Sequence, residues 1–258
     1  MQDICTHIQG VVIGRRFSAA DTGLYTQAKK MDEVASMTLP AVFCQVLFPL
    51  YSEKQNNLEE LQQMLRRNNQ TIAFIIFPLM MLLMVIAEPV FTLLYGQKWI
   101  DAVPYFQILC IGGFFSALYN FSYYAVAAVG RSKALFYWGC YKWGMLIILL
   151  LTGASISMTG VLVAMVISNI NIYITNGLLV QRYIGYLLCR QLVDIVPVMC
   201  CTLICGTVAY ILYVLLGIHW VVVSILFAAL YFAVCRICKI EATENVRHSV
   251  KSLVERFR

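Results

Sequence analysis

The 258-residue sequence predicts an all-α protein, a polytopic transmembrane helix bundle of about seven complete spans plus a partial first helix. Three features carry that prediction. Hydrophobic residues make up 61% of the chain and charged residues only 12%, more apolar surface than a chain of this length can hide in a water-soluble core. The apolar residues arrive in runs of roughly 18 to 27, enough to cross ~30 Å of hydrocarbon at ~1.5 Å per residue. The connectors between runs are short, at residues 130–133 or the single Gly217, so sequence neighbours must lie antiparallel.

Taken in order, residues 4–14 are apolar but too few to cross a bilayer. They have no secretory-signal layout, because no basic region precedes them and no small-residue cleavage site follows before Arg15-Arg16. Residues 23–49 form the most distinctive segment. At 100° per residue, Tyr25, Lys29, Asp32, Glu33 and Ser36 fall within an arc of roughly 100°, one polar stripe on one helix face. Two readings of the stripe are open. Either residues 25–33 form a solvated turn outside the membrane with Lys29 and Glu33 as an i,i+4 pair, or the helix enters the bilayer with this face turned to an aqueous cavity.

A span over 34–51 follows, with Pro40 expected to kink it. The polar connector 52–70, with Leu58, Leu61 and Leu65 at helical spacing, predicts a short amphipathic surface helix. Further spans are expected at 72–95, 103–129, 134–152, 161–180, 192–216 and 218–237. Gly112-Gly113, Gly139 and Gly144 are positions for close helix approach. The tail from 239, with Val246, Val250, Leu253 and Phe257 among basic residues, predicts an amphipathic helix at the cytoplasmic surface.

The motifs around the stripe resemble a known family. Ile13-Gly14-Arg15-Arg16, then Asp21-Thr22-Gly23-Leu24-Tyr25 and Ala28, then Val46-Leu47-Phe48-Pro49 before a polar loop, resemble the middle of polysaccharide flippases of the multidrug/oligosaccharidyl-lipid/polysaccharide exporter superfamily, most of all its Wzx-type O-antigen branch. Ala87-Glu88-Pro89, Leu93-Leu94-Tyr95-Gly96-Gln97-Lys98-Trp99, Ala102-Val103-Pro104 and Gly130-Arg131 continue the pattern in order. The resemblance implies that residues 1–182 are the second lobe of such a transporter with its first helix incomplete, 183–238 two additional spans, and 239–258 the tail. It also implies a fragment inactive alone, whose partners are a lipid-linked oligosaccharide substrate, membrane lipids, a missing N-terminal lobe and polysaccharide assembly proteins. The expected location is the inner (plasma) membrane, multi-pass.

Charge supports an orientation. Thirteen of the 19 Lys and Arg fall on the side that holds the connectors 52–70, 130–133 and 181–191 and the tail, which places that side in the cytoplasm. Most of the exceptions cluster around the polar stripe. A flippase must pass a pyrophosphate through hydrocarbon, and desolvating that charge costs many kcal/mol unless cations line the path. Arg15, Arg16 and Lys29 are the candidates for receiving it, with Asp32 and Glu33 holding them in place or coupling transport to ions. Lys142, inside a later span, either lines the cavity or snorkels to the headgroups beside Tyr137, Trp138 and Tyr141. Asn169, Tyr173 and Asn176 share a face, offering either sugar contacts or hydrogen bonds between helices.

Other classes fit less well. Most of the ten cysteines sit inside apolar runs, where a thiol behaves as a small hydrophobe, and the pair Cys235 and Cys238 has no second pair or nearby His, so no metal or other cofactor is expected. The basic residues are spread over connectors rather than gathered in a patch, so no nucleic acid is expected. No G-x-x-x-x-G-K-[ST] loop occurs. A cation-coupled drug exporter of the same superfamily remains as an alternative, and a membrane polymerase or ligase as a weaker one. Those enzymes need a large external loop or convergent catalytic residues, and no catalytic residue is assigned.

Overall fold

The computed structural model describes residues 2–238, and the predicted tail helix lies outside them. Among the described residues, seven helices are long and apolar enough to cross a membrane. Helix α1 spans Gln2–Arg16 and corresponds to the short first segment. A continuous helical rod follows, built from α2 (Ala19–Glu33), a π-helical stretch (Val34–Thr38) and α3 (Leu39–Glu53). Ser18 caps the start of α2 by accepting from the Asp21 N–H at 3.1 Å.

The π stretch is the local answer to Pro40. Proline has no N–H to offer the carbonyl four residues back, and a wider turn, in which the Leu39 N–H donates to the Val34 carbonyl, carries the rod past it. The expected kink is therefore realised as a π segment inside an unbroken rod.

The polar connector differs from expectation. Residues 52–70 do not form a separate surface helix; α4 runs without interruption over Leu58–Val85. Leu61, Leu65, Asn69 and Gln70 are all buried, so the amphipathic turns are the first half of a core helix, whose apolar stripe continues into residues 72–80. Asn57 caps it through the Glu60 N–H at 3.3 Å. The helix breaks at Ile86, and α5 (Ala87–Tyr95) starts with Glu88 and Pro89 in its first turn, the structural role expected of that pair. A 3₁₀ turn over Gln97–Ala102 leads into α6 (Val103–Ala128).

Helices α7 (Ser132–Ile156), α8 (Met158–Ile184), α9 (Leu188–Tyr210, extended by a π turn Ile211–Leu215) and α10 (Trp220–Ile237) complete the bundle. The boundary expected at 182/183 falls two residues inside α8, which ends at Gly185 in the left-handed conformation.

Helix α6 is the axis. It packs against α8, α4 and the α2–α3 rod. Helix α7 lies outside α8 and touches α1; α9 lies outside α4, and α10 outside α9. Close approach is concentrated at a few glycines. A Cβ on Gly153 would sit 2.6 Å from the Gly160 carbonyl oxygen, which lets α7 and α8 turn back on each other through Ser157. A Cβ on Gly113 would sit 2.6 Å from Asp32 Oδ1. Gly139 and Gly144, expected to serve the same purpose, have nothing within 4 Å of such a Cβ. Apolar side chains such as Ile148, Leu151, Val163, Ile225 and Phe232 point outward, the surface a bilayer would cover.

Candidate functional site

The polar stripe faces protein. Tyr25, Asp32 and Ser36 are buried, while Lys29 and Glu33 are partly so. Two small clusters result, one on each flank of α2.

The first lies between α2, α1 and α8. Lys29 Nζ donates a short hydrogen bond to Gln9 Oε1 on α1 and stands 3.6 Å from Glu33 Oε1. Tyr25 Oη lies 3.5 Å from the same Gln9 oxygen and 3.4 Å from Met165 Sδ on α8, and the ammonium is 5.9 Å from the Tyr25 ring centre. Lys29 keeps one-fifth of its side chain exposed, so it is anchored by Gln9 and Glu33 without being fully enclosed.

The second cluster is tighter. Ser36 Oγ donates to Asp32 Oδ2 at 3.2 Å, while Asp32 Oδ1 is buried against the Gly113 backbone without a hydrogen-bond partner among the described residues. A carboxylate oxygen left without a donor inside a bundle is costly to keep. It stands beside the π segment, a helix defect often found at functional positions.

The arginines are placed apart from these clusters. Arg15 and Arg16 are exposed at the end of α1, and Arg16 Nε donates to the Ala154 carbonyl at the end of α7 at 3.3 Å. Gln9, which anchors Lys29, lies seven residues earlier, about 10 Å along the helix axis at 1.5 Å per residue. Arg15 and Arg16 thus stand at the end of α1, and Lys29 lies further in along α2.

Lys142 has its own surroundings. Its ammonium donates to Tyr119 Oη at 3.2 Å and lies 4.8, 5.6 and 5.0 Å from the ring centres of Tyr119, Trp138 and Trp143. Three aromatic faces hold the cation within the span. Asn176 Nδ2 donates to the Tyr119 carbonyl at 3.1 Å, and a Cβ on Gly112 would meet Asn169 Nδ2 at 2.9 Å, so both asparagines lie in the α6–α8 seam.

The sequence does not single out Gln9, which sits in the short first segment, or Asn69 and Gln70, which fall in the stretch expected to be a surface connector. All three are buried. Amides one or two turns from the start of an apolar run were the available signal. Nor does the sequence mark a polar knot at the opposite end from Arg16: Arg66 Nη2 to Asp194 Oδ1 at 2.8 Å and Tyr186 Oη donating to Asp194 Oδ2 at 2.6 Å. No group of three or more His, Cys, Asp or Glu side chains placed for a metal occurs among the described residues.

The arrangement is that of a multi-pass helical membrane protein with charged side chains held inside the bundle. Residues 1–104 match the family model described as "Polysaccharide biosynthesis protein", the part of the chain that carries the stripe and both of the first motif groups. Those two groups meet in space, where the Trp99 ring lies within 3.9 Å of a Cβ placed on Gly23.

Several curated relatives match part of the chain. The teichuronic acid biosynthesis protein TuaB of Bacillus subtilis is 26% identical over 51% of this chain and 27% of its own length. The lipopolysaccharide biosynthesis protein WzxC of Escherichia coli is 29% identical over 45% and 23%, and the succinoglycan biosynthesis transport protein ExoT of Rhizobium meliloti 28% identical over 50% and 26%. The matched parts therefore span about a quarter of these relatives. A solved structure titled "Lipid II flippase MurJ, inward closed conformation" shares the fold, with a TM-score of 0.63 at 16% identity over 89% of this chain and 52% of that one. The likeness to Wzx-type polysaccharide transporters is borne out by these matches.

Proposed function

We propose that the chain works in a flippase that moves polyprenol-pyrophosphate-linked oligosaccharide across the plasma membrane for lipopolysaccharide, capsule or exopolysaccharide assembly. The observation that carries this reading is the anchored, partly exposed side chain of Lys29 within a rod long enough to span the bilayer. A charge at that depth is expensive, on the order of 2.5 kcal/mol or more, and is kept where it meets substrate or ions. A pyrophosphate is an apt partner, because a compact ammonium pairs with phosphate oxygens without demanding a fixed fork.

Lys29 receives the headgroup within the bundle, and Arg15 and Arg16, at the end away from the cytoplasmic connectors, receive it as it leaves. Glu33 holds the ammonium in place while no substrate is present. Asp32, with one oxygen unpartnered beside the π segment, is the group we assign to ion coupling. Support comes also from relatives whose names place them in polysaccharide biosynthesis and transport. The end of the bundle that carries the connectors 54–57 and 129–131 is assigned to the cytoplasm from its excess of basic residues.

Depletion of the chain at its native locus tests the reading. Surface polysaccharide should fall while its lipid-linked precursor accumulates on the cytoplasmic leaflet. Unchanged polysaccharide with increased sensitivity to cationic drugs would instead favour the drug-exporter alternative.

A further inference from the structure

Away from Lys29, the N-terminal ends of α4 and α9 line a half-open pocket of about 520 Å³ at the end of the bundle where the basic connectors lie. Its lining includes Glu59 and Arg66 from α4, Tyr186 from the preceding loop, and Arg190, Val193 and Asp194 from α9. The charges are arranged unevenly. Asp194 spends one oxygen on Arg66 and the other on Tyr186, and its side chain is 12% exposed, so that pair is electrically closed. Among the described residues, neither Glu59 nor Arg190 has an ion-pair partner.

The pocket therefore presents one uncommitted anion on α4 and one uncommitted cation on α9. A bare phosphate would satisfy Arg190 and be repelled by Glu59. A ligand carrying a phosphate and a primary ammonium a few bonds apart satisfies both by charge-assisted hydrogen bonds. From the pocket an apolar strip runs along α9: Val193, Val196, Cys200 and Leu203 are exposed and fall within an arc of about 80° at 100° per residue. A ligand with acyl chains would lay them there.

We infer that the α4–α9 pocket binds the headgroup of a zwitterionic phospholipid of the phosphoethanolamine type, with its phosphate on Arg190, its ammonium on Glu59 and its chains along α9. The lipid sits between the two C-terminal spans and the rest of the bundle. The assignment stands independently of the transport reading.

Native mass spectrometry of the detergent-purified full chain, titrated with phosphatidylethanolamine or phosphatidylglycerol, tests it. The wild type should retain phosphatidylethanolamine about threefold better, the size of one exposed ion pair. Glu59→Gln should erase that preference, and Arg190→Gln should lower retention of both lipids. Both residues are exposed, so helix content by circular dichroism should be unchanged. Excess soluble phosphoethanolamine should fail to displace the lipid. Equal retention of the two lipids by the wild type, or wild-type behaviour of both variants, would overturn the inference. Displacement by the soluble headgroup would overturn the lipid assignment in favour of a water-soluble ligand.

Discussion

Lys29 and Tyr186 show how a polar side chain is kept in an apolar bundle. Lys29 is anchored by Gln9 and Glu33 yet partly open, the arrangement of a group that meets a partner. Tyr186 is closed on both sides by burial and by its bond to Asp194, the arrangement of a structural knot. Burial, and then the Asp194 contact, raise the Tyr186 pKa above that of a free phenol. The folded state therefore holds this proton more tightly than the unfolded chain. The bond's contribution is complete below the free phenol's pKa of about 10 and is lost as pH rises beyond it. Thermal melting in detergent should accordingly show no Tyr186-dependent change between pH 6 and 8. At pH 7 the Tyr186→Phe variant should be less stable by about 1 kcal/mol, with the loss disappearing above the phenol's titration. The Lys29 stripe was legible in the sequence because five polar residues recur at helical spacing. Its buried anchor was not, because Gln9 lies on another helix and nothing in the spacing joins them.

Among the helices, the test lies in the glycines. Gly153 and Gly139 stand on the same helix, α7, but only the first touches a backbone: a Cβ there would sit 2.6 Å from the Gly160 oxygen, and at Gly139 it would meet nothing within 4 Å. Gly153→Ala should force α7 and α8 apart at their turn and cost about 1–3 kcal/mol, whereas Gly139→Ala should change stability by no more than about 0.5 kcal/mol. A melt of the two variants side by side checks the pair. Helix existence could be read from apolar run length, which is why the spans from 103 to 237 fall close to their expected places. Helix boundaries could not, because a polar turn such as 58–70 looks like surface until the rest of the fold covers it. Asn69 and Gln70 are buried by tertiary packing that periodicity alone does not report. The π stretch before Pro40 was foreseeable as a defect, but its form was not, since a kink and a wide turn both dispose of a missing N–H.

The molecule as a whole is a row of antiparallel helices around α6, with the stripe on one flank and the phospholipid pocket at one end. Its sidedness follows from two sets of connectors. Cysteines introduced at Gln55 and at Lys98 should be labelled by an impermeant thiol reagent from opposite faces, Lys98 from outside the intact cell and Gln55 only after permeabilisation. Labelling of both from outside would remove the orientation. Order and spacing of the motifs carry the family resemblance in the sequence alone, and the contact of Trp99 with Gly23 gives that order a physical meaning. The proposed transport role rests on the charge on α2. The most direct measurement is surface polysaccharide, with membrane abundance of the protein, in a strain carrying Lys29→Gln at the native locus. The account predicts export reduced at least tenfold, equivalent to about 1.4 kcal/mol, at unchanged abundance. Wild-type export from that variant and from the triple Gln variant of Arg15, Arg16 and Lys29 would contradict it.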